Sequence, residues 1–145
     1  MPLVLSTATR TDAARIAEIH MAAFGSNAML RAQFPTPAVR RALQECIRDK
    51  ALADIDDAKI TVLVVRDLHE AEGGAGPTGR VVAFAKWAHP VADDDGYAEA
   101  PWRWPEGTDW GVLAAWTKKT EEAQERAVFI SSAQILFIKD EAQGR

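Results

Sequence analysis

Two strand-like segments joined by a glycine-rich stretch constrain the fold of this chain most strongly. Residues 59–67 (KITVLVVRD) are rich in β-branched residues, a composition that favours β-strands. Residues 80–88 (RVVAFAKWA) are read as the strand that pairs with them. Residues 72–79 (EGGAGPTG) lie between them and read as a flexible hairpin loop. Because no helix separates the two segments, antiparallel pairing is the simplest geometry, and we predict a β-hairpin.

The residues before this hairpin predict one strand and two helices. Residues 3–8 form a short first strand, and apolar residues at helical spacing predict a helix over 12–24. A second helix begins at Pro37, since Thr36 is a good cap and proline suits the first helical position. We expect this helix to fray between residues 50 and 57.

The residues after the hairpin complete a mixed layer of helices and strands. Residues 89–109 are irregular, a helix follows to about residue 126, and residues 128–138 (VFISSAQILFI) predict a final strand. The predicted order is β-α-α-β-β-α-β, an α/β (α+β layered) fold. We find no linker or repeat and predict a single domain over 1–145, with nothing after the last strand to cover its second face.

Composition narrows the class of protein. A length of 145 residues with a net charge of −4 argues against broad electrostatic binding to nucleic acid. The single cysteine, Cys46, excludes an internal disulfide and a cysteine zinc site. No targeting or membrane-spanning segment is evident. The three histidines have no metal-ligand spacing. We therefore expect a cytoplasmic protein that binds neither nucleic acid nor membrane nor metal.

Three segments carry a family resemblance. The first is the strand exit and acidic helix start at residues 10–19 (RTDAARIAEI), and the second is the hairpin over 64–87. The third is residues 135–145 (ILFIKDEAQGR), an apolar strand running into a Gln-Gly-Arg turn. In this order they resemble the N-terminal half of the GNAT superfamily of acyl-CoA-dependent N-acyltransferases. The tryptophan-rich region and the Phe34–Pro35 surroundings are most similar to fungal versions.

The resemblance implies acetyl-CoA as cosubstrate. Phe137 and Ile138 match the strand whose free backbone groups bind the pantetheine arm in the family. Gln143, Gly144 and Arg145 match the start of the pyrophosphate loop, where backbone N–H groups hold the anion. The match stops within that loop, so the chain corresponds to a fold truncated at its C-terminus.

The acceptor side and the catalytic groups are less defined. By resemblance, Phe24, Asn27 and Trp87 border the amine site. Core packing is the simpler interpretation of Phe24, and covering of a sheet face is the simpler one for the tryptophans as a group. His20 lies one helical turn before Phe24. The only tyrosine, Tyr97, does not match the acid that usually protonates the leaving thiolate, and no catalytic residue is assigned.

Two functions remain open at this point. The first is an N-acetyltransferase that moves an acetyl group from acetyl-CoA to an amine, a small molecule in preference to a histone tail. The alternative is a non-catalytic truncated remnant that acts as an interaction module. In that case the uncovered C-terminal strand would support self-association, because an apolar edge strand can pair with another chain.

Overall fold

A computed structural model describes residues 2–68, 79–90 and 101–143, with side chains up to residue 127. The chain divides into two compact units, Met1–Thr108 and Asp109–Arg145. The described residues form a three-stranded antiparallel sheet and four α-helices, so the prediction of a mixed fold of helices and strands is confirmed at this level.

The first unit contains the sheet. Strands β1 (Leu3–Thr7), β2 (Ile60–Asp67) and β3 (Arg80–Ala88) are antiparallel in the spatial order β1-β2-β3. The predicted pairing of residues 59–67 with 80–88 is therefore confirmed. A bulge between Val65 and Arg66 interrupts the β2–β3 register.

Three helices join β1 to β2. After a single 3-10 turn, Arg10–Asp12, come α1 (Ala13–Phe24), α2 (Ala28–Gln33) and α3 (Pro37–Asp56). Thr36 caps α3 as predicted, because its Oγ1 accepts a hydrogen bond from the Val39 N–H at 3.2 Å. The predicted fraying is wrong, since α3 continues to Asp56. The short helix α2 was not predicted.

The helices bury one face of the sheet. Val62 and Val64 on β2 are 5% and 0% exposed, and they belong to one apolar cluster with Ile16 of α1 and Ala51 of α3. Burial of a valine side chain contributes about 1.5 kcal/mol or more, so this cluster stabilises the packing of the helices on the sheet. A smaller cluster joins α1, α3 and the residue after α2 (Ala17, Leu43, Ile47, Phe34).

A buried ion pair fastens the 3-10 turn to the sheet. Arg66 Nη1 and Nη2 donate to Asp12 Oδ1 and Oδ2 at 3.0 and 2.7 Å, a bidentate arrangement, and the Thr9 N–H donates to Oδ2 at 2.8 Å. Burial alone would raise the pKa of Asp12, but the bonds from Arg66 and Thr9 outweigh it and lower that pKa.

The opposite face of the sheet is open and apolar. Side chains alternate between the faces along each strand. The register therefore places Leu5, Val65 and Ala83 side by side on the face away from the helices, with Trp87 opposite Thr61. Leu5 is 65% exposed and Trp87 is 70% exposed. We call this surface the open face.

The second unit corrects the prediction for the C-terminal segment. Helix α4 runs without interruption over Trp110–Gln143. It begins as predicted after Asp109, whose Oδ1 accepts from the Val112 N–H at 3.0 Å. It does not end near residue 126, and residues 128–138 are helical, so the final strand of the predicted order is wrong.

The physical reason lies in the spacing of the apolar residues. The β-branched residues of 128–138 favour a strand, but Phe129, Ala133, Leu136 and Phe137 also fit helical spacing. No glycine or proline separates this segment from the helix before it. Short apolar runs are ambiguous in this way, and here the segment continues the helix. Residues 128–138 therefore offer no strand edge through which the chain could self-associate, contrary to the prediction.

Among the described helices, none combines the length and the hydropathy that crossing a bilayer requires.

Candidate functional site

A cavity of about 190 Å³ lies between the helices and the covered face of the sheet. Helices α1 and α3 form one side, β2 and β3 form the floor, and the segment after Pro101 closes an edge. A cavity of about 150 Å³ accommodates benzene, so this one has room for one substituted ring. Its apolar lining comes from Ile16, Ile47, Ala51, Val62, Phe84 and Trp102.

A cluster of three charges interrupts this apolar lining. Lys50 and Asp54 are one helical turn apart on α3, and their side chains are 5% and 7% exposed. Lys50 Nζ contacts Asp54 Oδ1, and Lys86 Nζ on β3 lies 3.2 Å from Asp54 Oδ2. Both oxygens of the carboxylate therefore face an ammonium group, which compensates the desolvation of buried charges.

His20 supplies the neutral polar group of the cavity. It lies on α1, and its ring centroid is 5.0 Å from that of Phe24. Burial lowers the pKa of His20, so the imidazole is uncharged at pH 7. A neutral imidazole has one nitrogen that donates a hydrogen bond and one that accepts. His20 can therefore bind either an acceptor group or a donor group of a ligand.

A stack of aromatic rings fixes the wall that contains Trp102. Phe34, which is 2% exposed, stacks on Trp104 with centroids 5.8 Å apart. Trp104 in turn lies 5.2 Å from Trp102 with the rings inclined by 11°. Lys50 Nζ lies 5.7 Å from the Trp102 centroid, a cation–π distance. This aromatic stack connects a deeply buried ring to the cavity wall.

A glycine turn ends the same segment. Gly107 has a φ of +86°, and a Cβ there would lie 2.7 Å from Val39 Cγ2. Only glycine avoids both the unfavourable φ and this clash. Thr108 Oγ1 also donates to the Pro105 carbonyl at 2.6 Å. The chain is thereby held against α3 close to the aromatic stack.

The three residues predicted to border the acceptor lie away from the cavity lining. Phe24 is 51% exposed at the end of α1 and touches the site only through its contact with His20. Asn27 caps α2, because its Oδ1 accepts from the Met29 N–H at 2.8 Å. Trp87 lies on the open face. Their role in acceptor binding stays a prediction from the resemblance, and the cavity described here does not include them.

The residues predicted to hold acetyl-CoA belong to the second unit. Phe137, Ile138 and Gln143 lie in α4. In a helix the backbone N–H and C=O groups bond to each other, so Phe137 and Ile138 offer no free strand edge to a pantetheine arm. Gly144 and Arg145 lie outside the described residues, as do Tyr97 and most of the glycine-rich loop.

Sequence reasoning missed the charge cluster, although the sequence contains a signal for it. Lys50 and Asp54 share a helical face with Leu43, Ile47 and Ala51, so two charges interrupt an apolar stripe. Lys86 likewise lies two residues after Phe84 in the predicted strand, so the two side chains share one face of the sheet. Charged residues at inward positions are rarely buried without a partner, and this pattern could have located the site.

Comparisons with models of protein families, with curated proteins and with solved structures found no match for this chain. Within the described residues, no group of three or more histidine, cysteine, aspartate or glutamate side chains is arranged to hold a metal ion.

Proposed function

We propose that the chain is an N-acetyltransferase of the GNAT type that transfers an acetyl group from acetyl-CoA to a small amine bound in the cavity. The observation that carries the proposal is this partly open cavity between α1, α3 and the covered face of the sheet. Support also comes from the sequence resemblance and from the order of the elements up to β3. A volume of about 190 Å³ favours a small molecule over a peptide tail.

The chemistry required of the site is limited. The amine nitrogen attacks the thioester carbonyl, a C–N bond forms, the C–S bond breaks, and coenzyme A leaves as a thiolate that takes a proton. Most of the rate gain comes from holding the two reactants together. The amine must also lose a proton, and the neutral imidazole of His20 is a suitable acceptor at pH 7.

The donor side rests on the sequence resemblance alone. The strand edge expected at Phe137 and Ile138 is helical, and Gln143 is the one residue of the Gln-Gly-Arg turn with a described backbone. A test must therefore measure donor binding separately from turnover.

Calorimetry of the full chain with acetyl-CoA tests the donor site, and release of free coenzyme A thiol in the presence of small amines tests transfer. We expect micromolar binding of acetyl-CoA and amine-dependent thiol release. Trp102→Ala should reduce turnover because it removes the cavity wall, whereas Trp87→Ala on the open face should not. The absence of both acetyl-CoA binding and thiol release would refute the proposal.

A second candidate is the non-catalytic interaction module, and the open face favours it. Exposed apolar residues on a sheet face are typical of surfaces that contact other proteins. On this face Leu3 is 56% exposed beside Leu5 on β1, and Trp87 is 70% exposed at the other end of the sheet. Concentration-dependent association in sedimentation measurements, together with no heat on addition of acetyl-CoA, would favour this candidate over the enzyme.

A further inference from the structure

The carboxylate in the cavity is already engaged. Asp54 is the acidic residue among the described groups that line the cavity, and its two oxygens face Lys50 and Lys86. Among the described residues, an alkylammonium group buried in the cavity would find a counter-charge only by displacing one of these lysines from Asp54. Burial of an unpaired cation is costly, so the cavity disfavours such a ligand.

The remaining lining suits a flat apolar group. Trp102 is held in place by Trp104, and Phe84 lies on the sheet side of the same cavity. Aromatic rings pack well against other rings in stacked or edge-to-face geometry. The cavity volume of about 190 Å³ is close to that needed by one substituted ring.

His20 adds one hydrogen-bonding position to this apolar lining. The imidazole lies on α1 and lines the cavity, and when neutral it can donate one hydrogen bond and accept another. A single polar substituent on a ring would satisfy it. Lys50, Asp54 and Lys86, on α3 and β3, are the charged groups that line the same cavity.

From these three observations we propose that the cavity selects an arylamine, a flat ring with an amino group that is neutral at pH 7, over an alkylammonium compound of similar size. The inference names the acceptor class and rests on the proposed function for its role as acceptor, but the binding selectivity follows from the cavity alone. An arylamine would also reach the acetyl donor with its nitrogen lone pair free.

Binding of simple probes to the full chain tests this selectivity. Aniline is neutral at pH 7, and benzylamine is a cation of nearly the same size. We expect saturable shifts of one tryptophan indole N–H resonance in NMR titrations with aniline, and binding of benzylamine weaker by about tenfold or more. Toluene, which lacks the amino group, should bind more weakly than aniline because it leaves His20 without a partner.

Two measurements test whether the selectivity arises in the cavity: the first compares two variants, and the second is a pH series. Trp102→Ala should weaken aniline binding by about tenfold and remove the shifted indole resonance, whereas Trp87→Ala should change neither. The second measurement needs no variant. The affinity of the unaltered chain for benzylamine should rise as the pH passes the pKa of the benzylammonium group.

Three results would overturn the inference: no saturable binding of aniline, equal or tighter binding of benzylamine at pH 7, or loss of aniline binding in Trp87→Ala. Failure of the proposed function looks different. If aniline binds selectively but no acetyl transfer follows, the selectivity stands and the acetyltransferase proposal fails. If alkylamines are acetylated while aniline does not bind, the enzyme stands and the arylamine inference fails.

Discussion

The two faces of the sheet carry residues of similar hydropathy but differ in what covers them. On the covered face Val64 is fully buried under the helices, whereas on the open face Leu5, in the strand beside it, is 65% exposed. The covered face also contains the buried charges and the cavity. Apolar sequence alone therefore does not locate the core or the site, because what packs against each face decides both.

The largest expected effect of a single substitution on the covered side is at the buried ion pair. Arg66→Met leaves the Asp12 carboxylate, whose side chain is 8% exposed, without its charged partner. We expect a loss of about 3–5 kcal/mol in the free energy of unfolding, measured by urea denaturation. Arg48→Met is the matched control, because the Arg48 side chain is 42% exposed and its ion pairs contribute little. Equal effects of the two substitutions would contradict this prediction.

A direct comparison of the two faces follows from truncating one residue on each. Val64→Ala should reduce the free energy of unfolding by about 2 kcal/mol, since it leaves a gap in a fully packed cluster. Leu5→Ala removes more atoms but from an exposed position, so we expect a change within about 0.5 kcal/mol. If Leu5→Ala proves the more damaging, the open face is covered in solution.

Acid should weaken the covered side through Asp12. Because its pKa is lowered in the folded state, the carboxylate contributes stability that is fully present above the ordinary aspartate pKa of about 3.9. That contribution is lost as the pH falls through the lower pKa of the folded state. Urea unfolding between pH 5 and the acid limit should show this loss. Asp12→Asn should show a smaller dependence on pH in the same window, and an unchanged dependence would exclude Asp12 as the source.

The smallest expected change in stability is on the open face, where the effect is on association instead. Leu5→Lys combined with Trp87→Ser removes two exposed apolar side chains and adds a charge to a strand. We expect less concentration-dependent association in sedimentation measurements, with unfolding changed by about 0.5 kcal/mol or less. Unchanged association would show that this face does not mediate it.

Local chemistry made most of the first unit predictable. The β-branched segment 59–67 and the glycine-rich stretch after it predicted the hairpin. The Thr36–Pro37 pair predicted the start of α3, because capping depends on neighbouring residues. Helix α2 was not predicted because it has only six residues, and Asn27, whose side chain caps it, lies directly after the end of α1. Residues 128–138 fit both the helical and the strand periodicity, and the local sequence does not distinguish the two.

The candidate site was less predictable than the fold, because it is assembled from residues far apart in sequence. His20 lies one helical turn before Phe24, as the sequence shows, but the sequence does not place Trp102, which is 37% exposed, beside the cavity. Its position depends on the stack with Trp104 and Phe34, a contact between distant parts of the chain. Burial of Lys50 and Asp54 depends likewise on Lys86 from another strand.

The bulge between Val65 and Arg66 has a consequence for the register of the hairpin. Val82 has no partner on β2, so the strand pairs in two separate blocks, one with Val81 at the loop end and one with Phe84 and Lys86 beside the cavity. The extra residue lets both blocks direct side chains toward the helices. The pairing of Lys86 with Val62 lies on the far side of the bulge from the loop, so the bulge separates the register beside the cavity from the register at the loop end.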